Sequence, residues 1–381
     1  MEFKLSGQHQ MMQKLFREFC QKEIAPYAAE NDVKAVFPTE IIRKLGAQGF
    51  MGIPIPAEYG GAGADFLTYI LCVEEVSRAC ASTGVILAVH TSVGTFPILN
   101  FGTAEQKQKY VPKLAAGEYV GAFALTEPDA GSDASALRTL AKKDGDDYVL
   151  NGTKIFISNG GHAQVYTVFA TVDRALGAKG ITAFLVEKDT PGFRVGAIEK
   201  KMGLNADVTT ELIFEDCRIP ASQRLGKEGE GFKIAMSLLD GGRIGIGAQG
   251  LGIAQAAFDE ALKYAQSREQ FNQPIFNFQA IAFKLAEMAT QIAAARLLVY
   301  QAAFRKENGL PNGKQASMAK MFATDTAMAA ATEAVQILGG YGYSREYPVE
   351  RLMRDAKITQ IYEGTNQIQR LVIAKALEKG L

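Results

Sequence analysis

The sequence contains no tryptophan, only three histidines and only four cysteines among its 381 residues. His9, His90 and His162 lie far apart and offer no spacing typical of a metal site. No two cysteines form a CxxC pair, which disfavours a zinc site and a disulfide framework and predicts free thiols in a reducing compartment. We therefore expect no metal centre, and a histidine-based triad has no supporting motif.

The chain also lacks an excess of either charge, with 41 basic and 41 acidic side chains. Nucleic-acid-binding surfaces usually require a basic excess, so a nucleic-acid partner is disfavoured. No run of about 18 apolar residues appears, and the first ten residues lack the apolar core of a signal peptide. We expect no membrane span, and the start at Met1 favours a bacterial cytoplasm over a processed mitochondrial matrix protein.

The pattern of apolar residues changes twice along the chain. The length of 381 residues suits two or three domains, and the 48 % of hydrophobic residues is ample for their buried interiors. Residues 1–119 and 226–381 show helical spacing, as at Leu285, Met288 and Ile292, whereas 120–225 is rich in β-branched and aromatic runs. We predict an α+β multidomain fold with a helical domain at 1–119, a β domain at 120–225 and a helical domain at 226–381.

Two local patterns have competing interpretations. Asn151-Gly152 separates two β-rich runs and predicts a hairpin with a two-residue turn. Residues 245–250 match the dinucleotide-binding pattern GxGxxG, but that pattern works only between a strand and the helix it opens. Residues 232–240 before it have a helical pattern, so we expect these glycines to permit close helix packing or close approach of a ligand.

Two segments in the β region combine small polar groups with aromatic side chains. In residues 122–133 a strand runs into a turn, where backbone N–H groups and the hydroxyls of Thr126 and Ser132 could bind a polar ring edge or a phosphate. Phe156 and Ser158 stand two apart on a predicted strand and should share a face that could cover a flat heterocycle. An ordinary turn and an ordinary strand end explain the two segments equally well.

A third segment, residues 354–370, ends an apolar stretch with a lone carboxylate. Glu363 is followed directly by Gly364, which would let a substrate approach the backbone. Taken alone, Glu363 could equally be a surface or helix-capping glutamate.

Together the three segments resemble the acyl-CoA dehydrogenase family, almost from end to end. The most specific matches are residues 125–133 (LTEPDAGSD), 336–340 (QILGG) and 362–365 (YEGT), and residues 240–246 (DGGRIGI) resemble the short-chain, butyryl-type branch. The resemblance implies an N-terminal helical domain, a middle β-barrel and a C-terminal four-helix bundle. It also implies a homotetramer, a dimer of dimers, that binds FAD across a subunit interface without a Rossmann site.

The resemblance assigns cofactor contacts by position. Ser158 stands where many relatives carry threonine, and Phe156 where many carry tryptophan, so its ring would cover less of the flavin. The implied flavin-lining residues are Phe123, Leu125, Thr126, Ser132, Phe156 and Ser158. Contacts from a neighbouring subunit fall on Arg268, Phe271, Gln279, Gln336 and Gly340, and Thr365 and Gln367 would also touch FAD.

The implied reaction is α,β-dehydrogenation of an acyl-CoA thioester to a trans-2-enoyl-CoA. Glu363 would take the α-proton while the β-hydride passes to flavin N5. Burial would raise the pKa of the base, and the Glu363 backbone N–H and a flavin ribityl hydroxyl would stabilise the developing enolate. Some relatives place the base where this chain has Gly242, which cannot serve. The implied substrate contacts are Ser132, Leu239, Asp240, Arg243, Tyr362 and Gly364.

The sequence thus predicts a short-chain acyl-CoA dehydrogenase that passes electrons to an electron-transfer flavoprotein. A branched short-chain substrate stays open. An acyl-CoA oxidase is a further alternative, although oxidases usually carry an extra C-terminal domain. A nucleic-acid-binding relative is a remote alternative, disfavoured by the charge balance and by Glu363.

Overall fold

The computed structural model of the protein describes residues 4–380. Its N-terminal part is helical. Ser6 and Asp65 cap helices by accepting the backbone N–H of the third residue on, and Thr103 with Gln106 forms a capping box. The helices are α1 (Gly7–Glu23), α2 (Ala28–Lys34), α3 (Thr39–Ala47), α4 (Phe66–Ala79), α5 (Ala81–Val89), α6 (Phe96–Phe101) and α7 (Ala104–Ala115).

A π-helical turn at His90–Thr95 joins α5 and α6 into one buried helical stretch. Among the described residues, Ala81–Phe101 is the one stretch long and apolar enough to cross a membrane by length and composition. However, 83 % of its most apolar 18 residues is buried inside the protein, which is the burial of a core helix.

The middle part is one mixed eight-stranded sheet. Its interior contains aromatic pairs: the rings of Tyr148 and Phe184 are tilted against each other, and Phe193 stacks on Phe214. The strands are β1 (Gly121–Ala124), β2 (Leu140–Asp144), β3 (Asp147–Ser158), β4 (Val165–Thr171), β5 (Ile181–Glu187), β6 (Phe193–Ile198), β7 (Thr209–Pro220) and β8 (Arg224–Leu225). Their order in the sheet is β6-β7-β3-β2-β4-β5-β8, and β1 pairs in parallel with β4.

The predicted hairpin turn at Asn151-Gly152 is wrong. β3 continues through both residues, and Gly152 lies at a register shift against β7 with a φ of 149°. The tight turn comes earlier, between Asp144 and Asp147, where Gly145 has a φ of 62°. Asn-Gly is a turn signal only where both residues can leave the ladder; here the glycine instead accommodates a bulge, because a Cβ on it would lie 2.6 Å from Thr139 Oγ1.

The C-terminal part is again helical, as predicted. Leu285, Met288, Ile292 and Ala295 form one buried face of the helix Gln279–Glu307. A two-stranded ribbon, β9 (Glu269–Gln270) and β10 (Gln273–Pro274), precedes that helix. The helices are α8 (Gly231–Ser267), α9 (Gln279–Glu307), α10 (Gly313–Leu338), α11 (Gly340–Tyr343), α12 (Val349–Thr359) and α13 (Asn366–Glu378).

The GxGxxG segment lies in the middle of α8, so the prediction that it packs a helix closely is confirmed. A Cβ on Gly247 would lie 3.1 Å from Val299 in α9, and one on Gly250 would lie 3.1 Å from the Ala323 carbonyl in α10. A Cβ on Gly252 would approach the Glu74 carbonyl in α4 to 2.4 Å. The small residues therefore make α8 the axis around which the other long helices pack.

Candidate active site

Glu363 lies in a turn between α12 and α13. Thr365 caps α13 by accepting the Ile368 backbone N–H at 3.2 Å, so Glu363 is not the capping residue. Glu363 itself has a φ of 52° and Gly364 a φ of 88°. A left-handed backbone costs a non-glycine residue roughly 1–2 kcal/mol, so the surrounding contacts must hold this turn.

The Glu363 carboxylate is buried, although the residue as a whole is half-exposed. Both carboxylate oxygens are shielded from solvent, and neither accepts a hydrogen bond from the described residues. Burial raises the pKa of Glu363 to about 7, while the positive charges of Arg243 and Lys320 oppose that shift. The side chain is thus a buried proton acceptor that titrates near neutral pH, which is the range suited to a general base.

Three of the residues predicted to contact the substrate are near this carboxylate: the charge of Arg243 acts on it, and Tyr362 and Gly364 flank Glu363 in the chain. Arg243 in α8 is buried and donates to Asp240 Oδ1 at 2.7 Å, while its Nε atom has no partner in the described chain. The Tyr362 hydroxyl donates to Gln249, also in α8. Leu239 is half-buried, whereas Ser132 is exposed on the turn after β1.

Lys320, Asn366 and Gln369 also belong to this site, and sequence reasoning missed all three. Lys320 Nζ donates to the Gly364 carbonyl and to Asn366 Oδ1, both at 2.9 Å. Gln369 Nε2 donates to the carbonyls of Glu363 at 3.2 Å and Gly364 at 2.9 Å. One signal in the sequence could have found Lys320, because it interrupts a stripe of alanines at helical spacing in α10.

The segment after β1 is held by a buried ion pair that the sequence did not indicate. Lys154 Nζ lies 2.7 Å from Glu127 Oε1 and donates to the Leu125 carbonyl at 3.0 Å. Glu127 also accepts the backbone N–H groups of Arg138 at 2.5 Å and Thr139 at 2.9 Å. Glu127 therefore organises the predicted flavin-lining turn from beneath, and its carboxylate is not free for chemistry.

Phe156 and Ser158 do not follow the strand alternation that was assumed for them. The register between β3 and β7 shifts between Lys154 and Ile157, and Phe156 has a φ of 57°. A spacing of two residues therefore does not by itself place these side chains on one face. Phe156 is 59 % exposed, whereas Ser158 is half-buried and donates to Asp207 Oδ2 at 2.9 Å.

These side chains nevertheless fit a flat, polar-edged cofactor. The Ile155 backbone N–H donates to the Thr126 carbonyl at 3.0 Å, which places the turn after β1 beside this part of β3. Phe156 displays an aromatic face from a strained backbone, and Asp207 Oδ1 is buried without a hydrogen-bond partner in the described residues. A left-handed backbone at a non-glycine residue is strained, and such strain clusters at ligand-binding sites, so Phe156 is a candidate ligand contact.

The residues predicted to reach FAD from a neighbouring subunit lie elsewhere in the chain. Arg268 and Gly340 line a groove of about 600 Å³ whose lining includes none of the residues around Glu363. The Arg268 guanidinium lies over the Tyr341 ring, 5.8 Å from the ring centroid. Phe271 is 85 % exposed. Within one chain, therefore, the two predicted groups form separate surfaces. Gln279, Gln336 and Gln367 are exposed as well.

Known protein families match all three parts of this fold. Residues 6–118, 122–217 and 229–378 match the N-terminal, middle and C-terminal domains of acyl-CoA dehydrogenase. The chain belongs to the acyl-CoA dehydrogenase family. The predicted family and three-part fold are thereby confirmed, and the protein is an FAD-dependent acyl-CoA dehydrogenase, an oxidoreductase acting on CH–CH bonds.

Its relatives include short-chain members of the family. It is 52 % identical to the short-chain specific acyl-CoA dehydrogenase of Clostridium acetobutylicum, over 98 % of this chain and 99 % of that one. Butyryl-CoA dehydrogenase from Megasphaera elsdenii superposes with a TM-score of 0.97 at 50 % identity, over 99 % and 100 %. A chain described with the electron transferring flavoprotein of Acidaminococcus fermentans superposes with a TM-score of 0.98 at 55 % identity, over 99 % of both.

Proposed function

We propose that Glu363 is the base that removes the α-proton of a short-chain acyl-CoA. The observation that carries this proposal is the buried Glu363 carboxylate, which has no hydrogen-bond partner among the described residues and a pKa raised to about 7. A solvated carboxylate near its usual pKa of ~4.3 would be a poor acceptor for a weakly acidic C–H proton. Burial raises the pKa of the carboxylate and so brings it closer to the pKa of the α-C–H group, and an apolar acyl chain against the site would exclude water further.

The thioester oxygen requires a donor as charge develops on it. The Glu363 backbone N–H is suited to this task because it belongs to the same anchored turn as the base. Gly364 has no side chain to obstruct the thioester, and Tyr362, held by Gln249, and Leu239 would bound the acyl chain. Ser132, Asp240 and Arg243 supply polar contacts for the rest of the acyl-CoA, and the partnerless Nε of Arg243 supports that role.

FAD would be held by Phe123, Leu125, Thr126, Ser132, Phe156 and Ser158, with Thr365 and Gln367 at its edge. The evidence for this assignment is the surface described above, where the exposed ring of Phe156 is accompanied by the half-buried hydroxyls of Thr126 and Ser158. When bound there, FAD supplies the two-electron acceptor for the substrate hydride. The chain's own residues cover one face of it, hydrogen-bond its polar edge and exclude water.

A homotetramer is proposed on the apolar side chains that the single chain leaves exposed. Phe283, Leu297 and Phe304 on α9 are each at least 50 % exposed, as are Leu371 and Leu377 on α13. Large apolar groups left exposed on a single chain are typical of subunit interfaces. In such an assembly Arg268, Phe271, Gln279, Gln336 and Gly340 of one subunit would complete the FAD site of another.

Short straight acyl chains of four to six carbons, and an electron-transfer flavoprotein as acceptor, are proposed on the names of the relatives above. A branched short-chain substrate and oxygen as acceptor are the alternatives. The cytoplasmic location also stays a proposal, which cell fractionation would test.

The decisive experiment combines one variant with a substrate series. Glu363→Gln should fold and bind FAD but lose several orders of magnitude in turnover, because a glutamine cannot accept the proton. Near-normal turnover of that variant would refute the assignment. Measured kcat/KM should peak at four to six carbons, and a maximum at twelve or more would refute the short-chain preference.

A further inference from the structure

A fully buried lysine lies beneath the turn that carries the proposed base. Lys320 in α10 has no exposed surface, and burial lowers its pKa to about 7. A buried ammonium is costly unless it is paired or hydrogen-bonded. Its acceptors are the Gly364 carbonyl in the turn and Oδ1 of Asn366, the first residue of α13, each at 2.9 Å.

Asn366 extends this contact back into α10. Its side-chain amide donates to Thr324 Oγ1 at 2.9 Å and to Asp325 Oδ1 at 2.7 Å. Lys320, Thr324 and Asp325 of α10 therefore all hydrogen-bond the side chain of Asn366, the first residue of α13. Gln369 donates to the carbonyls of Glu363 and Gly364, so the Gly364 carbonyl is held by both Lys320 and Gln369 and the Glu363 carbonyl by Gln369.

This anchoring bears on a strained residue. A left-handed Glu363 persists only where neighbouring contacts over-determine the backbone, and Lys320 provides one of the strongest, a charge-assisted hydrogen bond. Building on the role of Glu363 proposed above, we propose that Lys320 is a positioning residue: it fixes the turn that carries the base, and on the acid side of neutral pH its positive charge opposes protonation of the carboxylate.

The charged surroundings of Glu363 support the electrostatic part. Among the described residues, the positive charges acting on its carboxylate are Arg243 from α8 and Lys320 from α10, whereas the titratable Tyr69 from α4 and Tyr362 from the turn itself are neutral phenols. Lys320 in turn faces Glu363 and Asp325 as attractive charges and Arg243 as a repulsive one. Removing the lysine charge leaves Arg243 alone to oppose protonation of the base.

The test measures kcat/KM against pH for the FAD-loaded enzyme with butyryl-CoA. In Lys320→Gln the acid limb of the profile should move up by about one pH unit, which lowers activity roughly ten-fold on that limb and less above pH 9. Lys320→Arg should restore most of the wild-type limb, because it keeps the charge. Lys284→Gln, which removes a lysine paired with Glu333 between α9 and α10, is the matched control and should retain the wild-type profile.

An unmoved acid limb in a folded, FAD-loaded Lys320→Gln enzyme would overturn the proposal and leave Lys320 as a packing residue. If that variant does not load FAD, Asn366→Ala takes its place, since it removes one acceptor of the ammonium. It should lower kcat with little change in KM, and full kcat would likewise overturn the proposal. Wild-type enzyme that fails to oxidise any acyl-CoA would instead refute the proposed function.

Discussion

The Glu363 carboxylate occupies the space that a side chain at position 242 would need. A Cβ built on Gly242 in α8 would lie 2.0 Å from Glu363 Oε2 and 2.8 Å from its carboxylate carbon. The Glu363 carboxylate can therefore occupy its buried position only because residue 242 of α8 has no side chain. This contact explains in physical terms why Gly242 cannot hold a rival base while Glu363 holds this position.

Gly242→Ala should therefore displace the carboxylate and spare the fold. Alanine is favoured over glycine in a helix interior by about 1 kcal/mol, so Tm should hold or rise, whereas kcat should fall roughly 10²-fold because a shift of about 1 Å misplaces the base. Gly245→Ala, three residues along the same helix, is the control, since its Cβ would meet its nearest atoms at 3.6 Å and 3.7 Å. Equal kcat losses in both variants would contradict this interpretation.

The pH dependence of catalysis should follow the raised pKa of Glu363. Because only the ionised carboxylate accepts a proton and its pKa lies at about 7, kcat/KM should be about ten-fold lower at pH 6 than at pH 8. Steady-state rates on butyryl-CoA across that range provide the measurement. Full activity down to pH 5 would indicate a solvated carboxylate and contradict the buried one.

Breaking the Lys154–Glu127 ion pair should strongly destabilise the middle sheet. Lys154→Met leaves the buried Glu127 charge facing only backbone N–H groups, a loss of about 3–5 kcal/mol, and should lower both Tm and FAD retention. Adding Glu127→Gln should recover part of Tm, since it removes the uncompensated charge. Arg218→Met, which breaks an ion pair with the exposed Asp144, should change Tm little. If Arg218→Met lowered Tm as much as Lys154→Met does, the buried ion pair would have no special role in stability.

His90 should make stability sensitive to mild acid. Its Nδ1 accepts the Gly121 backbone N–H at 3.3 Å and its Nε2 donates to the Leu114 carbonyl at 3.1 Å, so the ring is neutral, and burial lowers its pKa to about 4. The unfolded chain protonates at about 6.5, so this stabilisation is complete above pH 6.5 and is lost as the pH falls toward 4, by roughly 3 kcal/mol.

His90→Asn keeps an acceptor for Gly121 and removes the titration. Its Tm should fall less than that of the wild type between pH 7.5 and pH 5, as thermal melts of the FAD-loaded proteins would measure. Parallel losses in the two proteins would exclude His90 as the source of acid sensitivity.

Much of the fold could be predicted because its signals are local. Helical spacing in α9 and β-branched runs in β4 and β5 each reflect one buried face or core, which a short stretch of sequence records. Asn151-Gly152 misled because a turn signal and a bulge signal are the same residues, and the partner strand β7 decides between them. The strand alternation assumed at Phe156 could not be relied on for the same reason, since the irregularity there depends on the register of β3 against β7.

The sequence by itself determined the order of helical and β regions, the family motifs and Glu363 as the candidate base. The tertiary structure alone decided that the Glu363 carboxylate is buried. It alone also decided that Lys320, 43 positions earlier in the chain than Glu363, donates a hydrogen bond to the Gly364 carbonyl. It also decided that a distant Gly242 makes room for the base. Burial, pKa and steric space are set by atoms that meet only when α8, α10 and α13 pack together, and no local pattern records that meeting.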